Sequence, residues 1–393
     1  MIKSKAVVIY QTNRFFTVFK GEFTIMRTVK IGIIGCGGIA NEKHLPALRK
    51  VENVEIVALC DIIPERAKNT AKKFGLKGVK IYKSYHNLLK MEEIEAVHVL
   101  THNSMHAKIT IDALNAGKHV LCEKPMAITS KEAHAMIAAA KKNNKKLTIG
   151  YQTRSNVIYK YARKLVAEGK LGDVYYVRTP EIRRRGAPGW GVFLNKEKQG
   201  GGPMIDIGTH GIDIALYVIN NYEVESVTGA VFNKLAGKCK VNEMGEYNDE
   251  DFTVEDSAMG FVKFKNGCTL VVESSFLINM ETPGCRMYCG SEAGIEMRDG
   301  KIVMNGERFN EEKQEWELYS EAIDVTPEMA SEVREICKDR EQISFSEYEA
   351  RMWFNAIIND TDPQVKPEEA CVITEIIEAI YKSAATGKTI YFK

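Results

Sequence analysis

The segment Ile31-Gly32-Ile33-Ile34-Gly35-Cys36-Gly37-Gly38-Ile39-Ala40 constrains the fold more than any other stretch of the chain. An apolar run ends in glycines and gives way at once to a helical pattern over residues 39–50, so a buried strand must turn sharply into a helix. In such a turn Gly35 allows the tight bend, Gly37 lets the backbone approach a pyrophosphate, and Ala40 permits close helix–strand packing. The helix N-terminus then offers unpaired N–H groups and a positive dipole end to the phosphates. Gly35, Gly37, Gly38 and Ile39 are therefore expected dinucleotide contacts. Taken alone, the turn also fits a strand–helix corner with no ligand.

The surrounding pattern supports the dinucleotide reading. Apolar runs at 54–60, 96–100, 119–122 and 146–149 alternate with helical stretches at 64–74, 106–116 and 130–143. Continuous apolar strands separated by helices imply a parallel sheet covered on both faces, a doubly wound α/β domain over residues 28–150. Residues 1–27 are expected to be an N-terminal extension outside the core fold. From 151 to 393 the rhythm changes. Helices are expected at 156–168 and 204–219, and β character appears at 226–233, 257–264 and 269–276. Asn266-Gly267 lies between the last two runs and signals a hairpin. This half reads as a second α/β domain with helices on one face of an open, mostly antiparallel sheet. Helical patterns at 345–359 and 367–386 close the chain and are placed back against the first domain.

Composition excludes several classes of function. Lys and Arg total 54 against 52 for Asp and Glu, which leaves no broad basic field for nucleic acid. No run reaches the roughly 20 apolar residues needed to span a bilayer, and the first 25 residues lack a signal-peptide pattern. The nine cysteines form no C-x-x-C pair, so they read as reduced thiols, with neither disulfides nor a metal centre expected. The expected location is cytoplasmic.

Asp61 ends the second apolar run, 26 residues after Gly35. A carboxylate there can accept hydrogen bonds from the ribose hydroxyls of NAD and would repel the 2′-phosphate of NADP, so NAD is expected over NADP. With Pro64 close behind, Asp61 also fits a helix cap. Glu123-Lys124-Pro125 follows another strand, at the carboxyl end where open α/β sheets bind ligands. Lys before Pro is extended, and the bond is a candidate for the cis form. In the segment from Gly200 to Asp213, Asp206 and His210 stand at i and i+4 and would share one helix face. Each feature alone has a structural explanation: a solvated lysine, a buried polar pair.

Together the glycine turn, Glu123-Lys124-Pro125 and the Gly-Gly…Asp206…His210…Asp213 segment resemble the Gfo/Idh/MocA family of oxidoreductases, in family order and spacing over about residues 28–392. Thr101-His102-Asn103-Ser104-Met105-His106 resembles the family's turn beside the nicotinamide, with His102 where the family usually has Pro. The resemblance implies an N-terminal Rossmann domain and a C-terminal α/β domain whose open sheet commonly forms a homodimer or homotetramer interface. It also implies sugar, sugar-derivative or cyclic polyol substrates. Thr101, Asn103, His106, Glu123 and Lys124 would then join the cofactor site, and Lys124, Asp206 and His210 would form the catalytic group. The expected reaction moves a hydride between nicotinamide and a ring secondary alcohol or ketone. His210, with an ordinary pKa near 6.5, is favoured over Lys124 as the proton-transfer group. An NAD-dependent glycosidase that works by transient oxidation would suit the same residues. Gln152 and Arg154, where the chain enters the second domain, are expected to meet substrate hydroxyls, along with Asp206 and His210. Trp190 offers an apolar platform or a simple packing contact. The neighbouring Arg183-Arg184-Arg185 leaves room for an acidic or phosphorylated sugar.

Overall fold

The computed structural model describes residues 16–19, 22–25, 27–281, 284–298, 300–326 and 344–393. Of the N-terminal extension, β1 (Phe16–Phe19) and β2 (Glu22–Ile25) form an antiparallel pair. The rest of residues 1–26 lies outside the described residues.

The first large unit is a six-stranded, wholly parallel sheet of β3 (Val29–Ile34), β4 (Val54–Cys60), β5 (Lys80–Tyr82), β6 (Ala96–Val99), β7 (His119–Cys122) and β8 (Leu147–Ile149), in the order β5-β4-β3-β6-β7-β8. The strand order reverses between β3 and β6. The crevice beyond the carboxyl ends of those two strands is the switch point at which doubly wound sheets bind dinucleotides. All four residues of β6 are buried, as a central strand covered on both faces requires.

The second unit is a nine-stranded sheet in the order β16-β15-β14-β13-β9-β12-β11-β10-β17. Its strands are β9 (Val174–Ile182), β10 (Val224–Phe232), β11 (Ser257–Phe264), β12 (Thr269–Ser275), β13 (Arg286–Gly290), β14 (Ala293–Arg298), β15 (Lys301–Asn310), β16 (Glu315–Ile323) and β17 (Ile390–Tyr391). Only β9 and β12 run parallel; every other neighbouring pair is antiparallel. The hairpin expected at Asn266-Gly267 joins β11 to β12, with Gly267 at φ +90°. On β11 buried and exposed positions alternate, so one sheet face packs on helices and the other is open. β9 and the run from β13 to β16 escaped the sequence reading. β16 is charge-rich and largely exposed, so the alternation that betrays a half-buried strand is weak there.

The helix Phe345–Ile358 returns to the first sheet, where Ala350, Trp353, Phe354 and Ile357 share a core with Val29, Ile31, Ile33 and Leu121. The helix Pro367–Thr386 lies along β10 and against the helix Ser130–Lys142. The two sheets are thus locked by elements from the far end of the chain. Trp353 is only 2% exposed. Trp353→Ala is expected to cost about 3–5 kcal/mol of stability, read from the midpoint of urea unfolding, with little change in the denaturant slope.

Candidate active site

Gly35 stands at φ +99°, and a Cβ on it would lie 2.3 Å from the Leu100 carbonyl oxygen. The turn after β3 therefore requires glycine for the close passage of the β6 end. Gly37 is different: a Cβ there would meet nothing within 4 Å. It forms an open ledge above the first helical turns, the space a pyrophosphate needs, so the turn fits the dinucleotide. Asp61 braces this ledge, accepting the Cys36 N–H at 2.9 Å and the Ile63 N–H at 2.9 Å. It is both a local cap and a buried carboxylate beside the ledge, with lone pairs left for ribose hydroxyls.

The residues Ala40–His44 wind as a wider π-type turn before the α-helix Leu45–Leu48, and Lys43 and His44 both become buried. They converge on Glu123 at the end of β7. The Glu123 Oε1 lies 2.6 Å from Lys43 Nζ and 2.7 Å from His44 Nε2, and Oε2 accepts the Lys124 N–H at 3.0 Å. Burial works against the Glu123 carboxylate, but Lys43 and His44 outweigh it and hold its pKa well below the usual range. Glu123 is therefore anchored through both carboxylate oxygens. Its job is to aim the next residue.

That residue is Lys124, joined to Pro125 by a cis peptide bond. Its Nζ donates to the Asp206 carboxylate at 2.8 Å and to the Asp206 backbone oxygen at 2.7 Å. The residues Met204–Gly208 again form a π-type turn, continued by the α-helix Thr209–Ile219. In this register Asp206 turns to Lys124, and the hydrogen bond expected between Asp206 and His210 is not made. His210 Nδ1 is buried without a partner among the described residues. Burial, aided by Lys124, pushes the His210 pKa down to about 3, against the near-neutral value the sequence suggested. The ring is neutral and edge-on to Tyr151, whose hydroxyl pairs with Thr209 at 2.6 Å.

These groups line one cleft of about 440 Å³ between the two sheets, together with Ile39, Thr101, Asn103, Gln152 and Trp190. Asn103 is tied to the Gln199 carbonyl at 3.0 Å, and Gln152 accepts from Lys43 at 3.1 Å. His102 holds φ −75°, a value proline itself adopts, so the turn keeps its geometry without the ring. His106 is fully buried outside the cleft lining, its nitrogens 2.8 Å and 3.0 Å from the Pro125 and Thr101 carbonyl oxygens. It ties the Thr101 turn to the Lys124–Pro125 segment.

Arg154 differs from expectation. It is 1% exposed, paired with Asp213 at 2.7 Å and with Glu369, and it does not line the cleft. A guanidinium between two carboxylates in the interior clamps helices and has no face left for substrate hydroxyls. Trp190 is 54% exposed at the rim and packs edge-on against Phe193. Sequence reasoning missed Lys43 and His44, and also Glu255, which accepts the Gly202 N–H at 2.8 Å and the Tyr381 hydroxyl at 2.7 Å beneath the glycine run. It also missed Glu181 and Arg286, an ion pair on the cleft wall. None has a local signature, because each partner is distant in sequence.

A switch-point crevice opening onto a polar cleft between a doubly wound sheet and an open nine-stranded one defines a two-sheet, nicotinamide-dependent oxidoreductase. The chain belongs to the Gfo/Idh/MocA oxidoreductase family: residues 29–151 match its NAD-binding Rossmann fold and residues 163–392 its C-terminal alpha/beta domain. It is 32% identical to D-glucoside 3-dehydrogenase of Escherichia coli, over 92% of this chain and 97% of that protein. It is 30% identical to 1,5-anhydro-D-fructose reductase of Ensifer adhaerens, over 67% of this chain and 74% of that one. Aldose-aldose oxidoreductase of Caulobacter crescentus superposes with a TM-score of 0.74 at 25% identity, over 93% of this chain and all of that one. Among the described residues no helix is long and apolar enough to cross a membrane.

Gly37→Ala should leave the unfolding midpoint unchanged while weakening NAD binding at least tenfold by calorimetry. Gly35→Ala should lower stability itself, by about 3 kcal/mol. Because burial holds His210 neutral, its imidazole should not titrate between pH 5 and 8 by NMR. The proton enters only as pH falls toward about 3, and a midpoint near 6.5 would contradict the burial argument.

Proposed function

We propose that the enzyme oxidises a ring secondary alcohol of a sugar, sugar derivative or cyclic polyol to a ketone, with NAD as the hydride acceptor. The observation that carries this reading is the convergence of Lys124, Asp206 and His210, whose Nδ1 has no partner among the described residues, in the cleft that opens from the Gly37 ledge. Nicotinamide, when bound, supplies the hydride chemistry. The chain supplies the proton chemistry and the alignment. The dehydrogenase and reductase names of the relatives agree with this class. The preference for NAD over NADP rests on Asp61, whose buried carboxylate would repel a 2′-phosphate.

Two of the three Lys124 donors are taken by Asp206, which leaves one N–H for the reacting oxygen. Held at fixed length and angle by Asp206, that donor stabilises alkoxide character as it develops. The neutral His210 ring accepts the hydroxyl proton. In the reverse direction it returns it. Burial keeps the ring neutral and so able to take up a proton, and the Asp206 carboxylate favours the imidazolium that results. Asp206 is thus the positioning partner of Lys124 and the electrostatic partner of His210.

We also propose that the open face of the nine-stranded sheet, which exposes Phe261, Trp316 and Leu318, pairs with a second copy of the chain. A panel of glycosides, free sugars, inositols and uronic acids with NAD, read at 340 nm and by chromatography, tests the activity. The expected product is a ketone formed mole for mole with NADH; release of an aglycone without net NADH would instead point to a hydrolase. With the best substrate, His210→Asn should lower kcat by about 10²–10⁴-fold at unchanged NAD affinity. Near-normal turnover by that variant would overturn the assignment.

A further inference from the structure

The three consecutive arginines after β9 are used in three different ways. Arg184 ion-pairs with Glu281 at 3.2 Å on the surface. Arg185 is held by the Ile278 carbonyl at 2.8 Å and by the Asn279 side chain. Arg183 alone turns into the catalytic cleft. There its guanidinium lies over the Phe276 ring, 5.7 Å from the centroid, and its only hydrogen bond among the described residues is a long one, 3.3 Å, to the Gly186 carbonyl.

Every other charge lining the cleft has a partner within ion-pair distance. Glu123 is met by Lys43, Lys124 by Asp206, and Arg286 by Glu181. Arg183 has no such pair among the described residues. The cleft carboxylate Glu181 is already paired with Arg286, and no ion pair joins it to Arg183 among the described residues. Of the charges that line the cleft, Arg183 is therefore the one left without an ion pair among the described residues. The cleft is also lined by Pro188, Trp190, Phe193 and Met244, none of which carries an anionic counter-charge. A bound molecule that fills the cleft strips water from Arg183. A neutral hydroxyl answers that loss only weakly, whereas an anion accepts a charge-assisted, bidentate hydrogen bond.

We infer that the preferred substrate carries an anionic substituent, a carboxylate or a phosphate on the sugar ring or its side chain, and that Arg183 is its counter-ion. The inference rests on the dehydrogenase reading and names its substrate class. Arg183 fixes which end of the ring enters the cleft, with the apolar C–H face toward Trp190 and Phe193.

The test compares methyl glucoside, methyl glucuronide and glucose 6-phosphate as substrates with NAD. Each is also titrated as a ligand by quenching of tryptophan fluorescence, which reports binding without turnover. One of the two anionic compounds should exceed the neutral glucoside at least tenfold in kcat/KM and in affinity, and which one does so distinguishes carboxylate from phosphate. The advantage should shrink with added salt. Arg183→Gln should cost the anionic compound at least tenfold more in kcat/KM than it costs the neutral one, and Arg183→Lys should recover part of the loss. Preference for the neutral glucoside, or equal losses for neutral and anionic compounds in Arg183→Gln, would overturn the inference and leave the dehydrogenase reading standing. Absence of both binding and turnover for these compounds and for the wider sugar and polyol panel would overturn the dehydrogenase reading and this inference with it.

Discussion

The rest of the site depends on one buried ion pair, Lys43 with Glu123. It joins the helix after the glycine turn to the end of β7, and it draws in His44 from one side. Glu349, from the helix Phe345–Ile358, approaches Lys43 at 3.1 Å from the other. Burying these groups is costly, and the arrangement is tolerable only because each charge meets an opposite one at hydrogen-bond distance. One ammonium shared between two carboxylates holds Glu123 ionised, while burial pushes the Glu349 pKa up to about 7. The consequence lies one residue further on. With the Glu123 side chain anchored and its Oε2 accepting the Lys124 N–H, Lys124 is held where its side chain reaches the cleft.

The facing wall is built on a different principle. The π-type turn over Met204–Gly208 widens the helix, so the Asp206 side chain and its own carbonyl both reach Lys124. Local departures of this kind interrupt the regular hydrogen-bond ladder and recur at functional sites. His210, one turn on, is left with a buried Nδ1 that has no partner among the described residues. An orphaned donor or acceptor in an interior is expensive unless something else satisfies it. The ring itself lines the cleft that a substrate would enter. Beneath the turn, Glu255 and Tyr381 hold the preceding glycines, and Arg154 with Asp213 and Glu369 clamps the helix from behind.

Much of the first unit was legible because its signals are local. The strands β3, β6 and β7 are apolar runs, the turn at Gly35 must be glycine, and Asn266-Gly267 marks its hairpin by chemistry that acts over a few bonds. β9 and β13–β16 were not legible. Strands with one open face and many charges owe their pairing to a ladder of backbone hydrogen bonds, which leaves little trace in side-chain periodicity. Arg154 shows a related limit. Its place at the entry to the second domain suggested a substrate contact, and only the packing of three separate helical segments turned it into an interior clamp.

By itself, then, the amino-acid sequence determined the doubly wound unit, the dinucleotide turn, and the identity of the three polar residues that meet in the cleft. These follow from hydrophobic periodicity, backbone sterics and the order of the motifs, all of which act along the chain. Which carboxylate partners Lys124, the neutral state of His210, and the separation of Arg183 from its two neighbours were decided by tertiary structure alone. Each depends on distances between residues far apart in sequence and on how much water remains around a charge. Both are properties of the folded interior.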